Sequence, residues 1–162
     1  MIKKKISIFV DVQNIYYTSR DIFRANFDYN KFWATTTQDR EVVKAYAYAT
    51  AKSDEKQKQF HNILRAIGFE VKLKPYITRK DGSAKGDWDV GITIDILEYA
   101  KDSDIIILAS GDGDFAMLIK YIKEKYKLKT EIYGVENLTA NALINEADKF
   151  VPITTKLLIN KK

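Results

Sequence analysis

Hydrophobic positions along the chain follow two patterns, short continuous apolar runs and longer stretches with helical spacing. The segment ISIFV at 6–10 and the segment DIIILA at 104–109 are the clearest short runs. Runs of this kind are typical of strands that are buried on both faces of a parallel sheet. Together with less regular runs they predict six strands, over 6–10, 42–50, 69–74, 104–109, 128–133 and near 149–153.

Helical spacing fills the intervals between most of these strands. The Ser-Asp-Glu sequence at 53–55 supplies an N-cap and first-turn acids for one helix, and Gly68 ends that helix. Its apolar stripe consists of Phe60, Ile63, Leu64 and Ile67. Further helices are predicted over 87–100 (with Val90, Ile94 and Leu97 on one face), over 114–126 and near 139–147. Crossover helices between strands predict a single three-layer α/β domain over 1–162, with a mostly parallel sheet and helices on both faces.

The composition restricts the chemistry. The absence of cysteine excludes disulfides, thiolate zinc sites and cysteine nucleophiles. His61 is the single histidine, and we expect it on the polar flank of its helix, away from catalysis. No apolar run reaches the roughly 18 residues of a membrane span, and the N-terminal apolar stretch is too short for a signal peptide. We therefore expect a cytoplasmic protein without a membrane partner.

Positive charge is concentrated in one stretch of the chain. The net charge is +5 and the sequence pI is about 9.2, which is compatible with a polyanionic partner. The segment 72–85 contributes five cations against the single acid Asp81, and a second basic stretch covers 121–129. The cations of the first segment are Lys72, Lys74, Arg79, Lys80 and Lys85.

Acidic side chains follow two of the apolar strands directly. Asp11 and Asn14 come after the first strand, and the sequence SGDGDF at 110–115 comes after the strand at 104–109. Carboxyl ends of parallel strands lie at one edge of the sheet, where such folds bind ligands. Asp114 alone could equally be a helix N-cap. Asp112 is harder to explain structurally, because neighbouring carboxylates repel each other without a cation.

A third acidic group opens the helix that follows the basic segment. Asp87 is the expected N-cap, whereas Asp89 lies far enough into the helix to direct its carboxylate toward the sheet edge. Asp95 lies about 120° further around the helix, so we expect it in a supporting or surface position. Converging carboxylates without histidine or cysteine suit Mg²⁺ or Mn²⁺ rather than zinc. No phosphate-binding lysine motif of the P-loop type is present.

Three stretches of sequence together resemble the NYN domain family, and in particular its LabA-like bacterial branch. These stretches are FVDVQN at 9–14, KGDWDV at 85–90 with Asp95, and SGDGDF at 110–115. The resemblance spans residues 5 to about 153 and keeps the order of the family's motifs. It implies a PIN-like, Rossmann-type α/β fold and a metal-dependent ribonuclease activity.

The resemblance also implies roles for individual residues. Asp11, Asp89 and Asp112 match the family's metal-binding acids, and Asp114 matches a fourth acidic position. Supporting positions correspond to Asn14, Ser110, Thr139 and Asp95. One departure concerns the lysine-glycine motif, which usually reaches its acid after one apolar residue. Here Asp87 and Trp88 occupy that gap, so both Asp87 and Asp89 stay open as the ligand, with Asp89 in the better alignment.

The sequence therefore predicts a metal-dependent (endo)ribonuclease that uses Mg²⁺ or Mn²⁺, and it leaves endonucleolytic versus exonucleolytic action open. Arg79, Lys80 and Lys85 are expected to bind the phosphates of single-stranded RNA with little sequence preference. The alternative is a non-catalytic RNA- or protein-binding regulator that retains the fold. A haloacid-dehalogenase-like phosphatase is disfavoured, because Gln13 stands where that class needs a second aspartate.

The aromatic residues allow two interpretations. Tyr16 and Tyr17 could line a substrate groove or be ordinary residues of a helix, whereas packing is the expected role of Trp33 and Trp88. Exposed aromatic side chains are compatible with a homodimer, but the sequence leaves the oligomeric state open. It also leaves open the natural RNA and the number of metal ions.

Overall fold

The computed structural model describes residues 2–51, 54–75, 77–78, 84–85 and 87–159. Its main sheet has six strands, all parallel, in the spatial order β3-β2-β1-β6-β7-β8, which confirms the predicted fold class. Two further short strands, β4 and β5, pair antiparallel with each other. The strands are β1 (Lys4–Asp11), β2 (Arg40–Ala51), β3 (Glu70–Pro75), β4 (Ile77–Thr78), β5 (Ala84–Lys85), β6 (Ile105–Ala109), β7 (Lys129–Gly134) and β8 (Lys149–Pro152).

Helices cover both faces of the main sheet. The α-helices are α1 (Val12–Phe23), α2 (Tyr29–Thr37), α3 (Glu55–Ile67), α4 (Asp89–Ala100), α5 (Ala116–Tyr126) and α6 (Asn141–Glu146). Short 3₁₀ turns cover Gly113–Phe115, Glu136–Leu138 and Thr155–Leu157. In the part of the chain that the structure describes, no helix has the length and apolar character to cross a membrane.

The alternation of side chains in the central strands divides the core into two layers. Ile6, Ile8 and Val10 of β1 point into the layer formed with α1, α2 and α3. Phe9, between them, points into the opposite layer with Ile92 of α4 and the apolar side chains of α5 and α6. Because β1 is buried on both faces, its sequence is a continuous apolar run rather than an alternating one.

The strand order determines where a ligand can approach the sheet. From β1 the chain moves outward in one direction through β2 and β3, and from β6 it moves outward in the other through β7 and β8. The order therefore reverses between β1 and β6, and the crevice beyond their carboxyl ends is the usual ligand position of such a sheet. Asp11 is the last residue of β1, and Ser110 follows β6 directly.

Three elements are absent from the sequence-based prediction: α1, α2 and the β4–β5 hairpin. Both helices are rich in β-branched, aromatic and small polar residues, which are weak helix formers. Each nevertheless begins at an aspartate N-cap, Asp11 for α1 and Asp28 for α2. Tertiary packing of Ile15 and Phe32 stabilises these helices where intrinsic propensity does not.

The buried face of α4 differs from the prediction, and that of α3 differs only at Ile63 and His61. In α4 the buried residues are Ile92, Ile96 and Ala100, whereas Val90 and Ile94 are exposed. The prediction for α4 was wrong because apolar residues lie on more than one side of this helix. In α3, His61 is buried beside Leu64 at helical spacing, so the expected polar position of His61 was also wrong.

Candidate metal centre

Asp11 forms the base of an acidic cleft at the carboxyl end of β1. Only 8% of this residue is exposed. The hydroxyl of Ser110 donates to its Oδ2 atom at 3.1 Å, and the backbone N–H of Asn14 donates to its Oδ1 atom at 3.3 Å. The carboxylate thereby caps α1 and is also fixed from the neighbouring strand. Its orientation is set before any ligand binds.

Asn14 and Ser110 connect the loops that follow β1 and β6. The Oδ1 atom of Asn14 accepts a hydrogen bond from the backbone N–H of Gly111 at 2.8 Å. The hydroxyl of Ser110 accepts one from the backbone N–H of Asp112 at 3.2 Å. Ser110 thus contacts the carboxylate of Asp11 and the backbone of Asp112. Asn14 and Ser110 thus fix the position of Asp11, at the end of β1, relative to Asp112, which follows β6.

The second acidic loop folds as a tight turn. Asp112 is the N-cap of the 3₁₀ turn, and its Oδ1 atom accepts from the backbone N–H of Asp114 at 2.9 Å. Asp114 is therefore inside the turn rather than its cap, in contrast to the structural alternative considered for it. Its side chain is exposed beside Asp89 and Asp112.

Thr139 packs against the loop that carries Asp112. Its hydroxyl donates to the carbonyl of Val135 at 2.7 Å, and it packs against Gly111 and Gly134. A Cβ atom at Gly111 would approach the carbonyl oxygen of Leu138 to 2.7 Å, so only glycine fits there without a shift of the backbone. Thr139 thus holds the turn that carries Asp112 in place, as a positioning residue.

The third acidic group comes from the N-terminus of α4, and Trp88 fixes its position. The indole N–H of Trp88 donates to the carbonyl of Ala49 at 3.0 Å, and its ring lies against Gly91. Lys74 donates to the carbonyl of Asp87 at 2.8 Å. Because these contacts hold the chain before the helix, α4 begins at Asp89 with Trp88 as the capping residue. The expectation that Asp87 is the N-cap was wrong.

Asp89 and Asp112 line a cleft of about 240 Å³, and Asp114 lies beside them. Oxygen atoms of Asp89, Asp112 and Asp114 lie within 4.8 Å of one another, a spacing at which one cation can contact all three. The carboxylates of Asp11 and Asp87 also line this cleft. Between the two alternatives for the α4 ligand, the geometry favours Asp89, since Asp87 lies outside the group of three.

Burial and mutual repulsion raise the free energy of the folded protein when all carboxylates of this cluster are ionised. Burial raises the pKa of Asp11 to about 6, against the lowering effect of the hydrogen bonds from Asn14 and Ser110. Burial, together with the hydrogen bond and the charge of Asp112, raises the pKa of Asp89 to about 7. Within the described ranges, the salt bridges of lysine and arginine do not include these acids. A cation of the cluster's own would relieve this repulsion.

Asp95 has a different surrounding, although it lies on the same helix as Asp89. Its Oδ2 atom accepts hydrogen bonds from the hydroxyl of Tyr48 and from the ammonium group of Lys72, both at 2.7 Å. It does not line the acidic cleft. As the helical periodicity predicts, its carboxylate points away from that of Asp89.

The basic segment is described only in part. Lys72 contacts Asp95, and Lys74 lies over the ring of Trp88, 5.3 Å from its centroid. Arg79 and Lys80 lie outside the described residues, and Lys85 is described only as part of β5. Their expected contacts with phosphates therefore stay predictions.

Gln13 and Thr18, to which the sequence analysis assigned no role in the site, also line the cleft next to Asn14. Tyr17, which the sequence left open between a substrate groove and an ordinary helix position, lines it too. The hydroxyl of Thr18 donates to the carbonyl of Asn14 at 2.7 Å, which secures the turn that carries this amide. A prediction of α1 would have revealed them, because residues three or four positions apart share a helix face.

Comparison with known proteins agrees with this architecture. A crystal structure of a protein of unknown function from Vibrio parahaemolyticus is 59% identical and superposes with a TM-score of 0.93, covering 97% of each chain. Ribokinase from Giardia lamblia is 13% identical with a TM-score of 0.51 over 93% of this chain and 58% of its own, and shares the fold alone.

Sequence comparison identifies the family. The low amplitude and bright protein LabA of Synechococcus elongatus is 27% identical over 158 residues, which cover 92% of this chain and 83% of LabA. The model of the NYN domain matches residues 5–154. This range contains all three acidic stretches and both loops of the switch point. The chain therefore belongs to the NYN domain family.

Proposed function

We propose that this protein is a metal-dependent ribonuclease that hydrolyses phosphodiester bonds of single-stranded RNA. The observation that carries the proposal is the convergence of Asp89, Asp112 and Asp114 above the buried carboxylate of Asp11. These acids come from three separate parts of the chain and meet at the switch point of the sheet. Membership of the NYN domain family supports a nuclease rather than another activity at this position.

The donor set fits a hard divalent cation. Its ligand atoms are carboxylate oxygens, and the cluster lacks the nitrogen and sulfur donors that favour zinc. The raised pKa values of Asp11 and Asp89 indicate that the folded protein disfavours their full ionisation without a cation. Mg²⁺ and Mn²⁺ match this chemistry. Asp89, Asp112 and Asp114 would hold the ion, with Asp11 beneath them.

The residues of the cleft have distinct tasks in this proposal. A divalent ion held by the acids would supply charge stabilisation at the phosphate and lower the pKa of a water molecule. Ser110 and Asn14 keep Asp11 and the turn of Asp112 in register, so the ligand atoms need no rearrangement. The carboxylate of Asp114 is exposed beside Asp89 and Asp112, where it would be accessible to an RNA strand.

We propose phosphate recognition for the basic segment, which is next to Asp87 and Asp89 in sequence. This segment precedes α4 directly, so it is connected to Asp89 by only a few residues. Arg79, Lys80 and Lys85 would neutralise backbone phosphates and give little preference for sequence.

The decisive experiment is cleavage of end-labelled single-stranded RNA with Mn²⁺, with Mg²⁺ and with a chelator. We expect cleavage with either metal ion and none with the chelator. Asp112→Asn should lose cleavage while remaining folded, because asparagine can still cap the turn but lacks the charge that holds the ion. Full activity in a folded, nuclease-free preparation of this variant would remove the assigned site.

The same experiment tests the alternative of a non-catalytic regulator. Wild-type protein that binds the RNA but leaves it intact with both metal ions would favour that alternative. Internal fragments from RNA with blocked ends would indicate endonucleolytic cleavage, whereas stepwise shortening of unblocked RNA would indicate an exonuclease.

A further inference from the structure

A second cavity lies beside the acidic cleft. It is a groove of about 550 Å³ between α1 and α3, and the segment 26–30 also lines it. Gln13 and Tyr17 line both the groove and the acidic cleft, so the two spaces share a wall. A chain-like ligand whose phosphate lies at the acids would therefore place its next unit at the mouth of this groove.

The walls of the groove carry exposed apolar and aromatic surface. Tyr16 and Tyr17 are about half exposed, and their rings meet edge to face with centroids 5.3 Å apart. On the opposite wall, the apolar stripe of α3 includes Ile63, which is 54% exposed, and Phe60. Tyr29 is buried at the floor of the groove, and its ring contacts that of Phe60 with centroids 5.6 Å apart. Ile63 thus opens one position of the α3 stripe to the groove, whereas Leu64 of the same stripe is buried in the core.

The polar groups of the groove are mostly neutral amides. Gln13, Asn26, Asn30 and Gln57 line it, and each amide offers a donor and an acceptor. Among the described lining residues there is no lysine, arginine or histidine. The one acid, Asp28, already caps α2 by accepting from the backbone N–H of Lys31 at 3.1 Å. This lining suits a flat, uncharged ring with hydrogen-bonding edges and does not suit a phosphate.

We propose that this groove binds one unstacked nucleobase of the RNA strand, next to the phosphate held at the acidic cleft. The inference rests on the proposed function for the identity of the strand. Its volume lies within the range of small-molecule pockets. The base would stack on the Tyr16 and Tyr17 pair and lie against the apolar side chains of α3. The amides would contact its edge and keep it in place.

The test measures binding rather than cleavage, so it does not depend on catalysis. The probe is a fluorescein-labelled five-nucleotide RNA with cleavage-resistant phosphorothioate linkages, with the base removed at each position in turn, bound to the wild-type protein in the presence of Mn²⁺. Removal of one particular base should lower the affinity about five- to 150-fold, which corresponds to the about 1–3 kcal/mol of base–aromatic stacking. The other positions should show smaller losses.

Two groove variants, one from each wall, should abolish that positional effect. Tyr16→Ala and Ile63→Ser remove exposed side chains, so they should leave the fold intact. Their matched controls are Tyr121→Ala on α5 and Ile94→Ser on α4, which are similarly exposed and lie outside the groove. In both groove variants, RNA with and without the critical base should bind about equally. In the controls the difference should persist.

The outcomes separate this inference from the proposed function. If the groove variants keep the full positional effect while wild-type protein cleaves RNA, the nucleobase site in the groove is overturned and the proposed ribonuclease function is kept. If RNA is not cleaved but the effect disappears in both variants, the base site stands without the nuclease. Absence of RNA binding overturns both. A change in sedimentation mass of Tyr16→Ala with an unchanged base profile would assign the groove to a second copy of the chain and overturn the base site.

Discussion

Two carboxylates on α4, Asp89 and Asp95, have opposite electrostatic surroundings. Asp95 contacts Lys72 and the hydroxyl of Tyr48, so its charge is compensated locally. Asp89 lies among other acids, and its pKa is raised to about 7 by burial and by Asp112. A fold selected for stability alone would favour the first arrangement throughout. The surroundings of Asp89 therefore support the proposed binding of a cation at this end of the helix.

The largest expected difference between the two acids concerns activity. Asp89→Asn should reduce metal-dependent RNA cleavage at least about a hundredfold, since even outer-shell changes in metal sites cost about 10- to 100-fold. Asp95→Asn should reduce it less than about tenfold, because Asp95 does not line the cleft. Initial rates with saturating Mn²⁺ provide the measurement. Equal losses of cleavage activity in both variants would contradict the different roles assigned to Asp89 and Asp95.

The two substitutions should change stability in opposite directions when a chelator is present. Asp95→Asn should lower the free energy of unfolding by about 2 kcal/mol, because Lys72 loses a charged hydrogen-bond partner. Asp89→Asn should raise it by about 1 kcal/mol, because a repelled charge is removed. Urea unfolding followed by circular dichroism measures both. A decrease for Asp89→Asn would mean that its carboxylate is structural.

The pH dependence of stability should show the same contrast. The pKa values of Asp11 and Asp89 in the folded protein are about 6 and about 7, above their ordinary value of 3.8. The folded state therefore binds more protons than the unfolded chain near pH 5, and this stabilisation is lost as the pH rises through 6 and 7. Metal-free protein should be less stable at pH 8 than at pH 5 by at least about 1 kcal/mol, since one pKa unit corresponds to about 1.4 kcal/mol.

Millimolar Mn²⁺ should reverse that trend, because the ion binds the ionised carboxylates. The control is Asp89→Asn, which should show a smaller decrease between pH 5 and pH 8 in chelator and a smaller gain with Mn²⁺. Thermal melting in matched buffers is sufficient for the comparison. A wild-type protein that becomes more stable with rising pH in chelator would contradict the assignment of repulsion to these acids.

The smallest expected effect concerns the salt dependence of RNA binding, which should distinguish Lys72 from the other cations of the basic segment. Joint replacement of Arg79, Lys80 and Lys85 should flatten the dependence of log affinity for single-stranded RNA on log salt by roughly 0.7 per lost phosphate contact. Lys72→Met should leave that slope nearly unchanged and instead lower stability, because Lys72 is engaged with Asp95. Fluorescence anisotropy over a range of salt concentrations tests both. An unchanged slope in the triple variant would remove these residues from the RNA surface.

The parts of the fold that could be predicted are those with a strong local signal. The strands β1 and β6 are buried on both faces, so their apolar runs are unambiguous, and the acids after them are placed by the parallel topology. The faces of α4 were not predictable, because Ile92 and Ile94 are both apolar and only packing decides which is buried. The helices α1 and α2 consist of weak helix formers that tertiary contacts stabilise.

The acidic site shows a similar division. The identities of Asp11, Asp89 and Asp112 followed from strand ends and motif resemblance. The sequence did not predict that Ser110 contacts Asp11, nor that Gln13 and Tyr17 line both cavities. These contacts depend on side-chain positions in space rather than on spacing in sequence. Burial of His61 was missed for the same reason.

The pairing of β1 with β6 has a consequence for the newly made protein. The hydrogen bond between Ser110 and Asp11 joins positions 99 residues apart, and β1 lies in the middle of the sheet. The ribosome adds Asp11 to the chain 99 residues before Ser110, so β1 leaves the ribosome well before its partner strand β6. Nascent or prematurely terminated chains that end before Ile105 lack β6 and the second acidic loop. Asp11 therefore meets the other acids only after the chain has been synthesised past Asp114, and shorter chains contain the first acid of the cleft without the acidic loop that faces it.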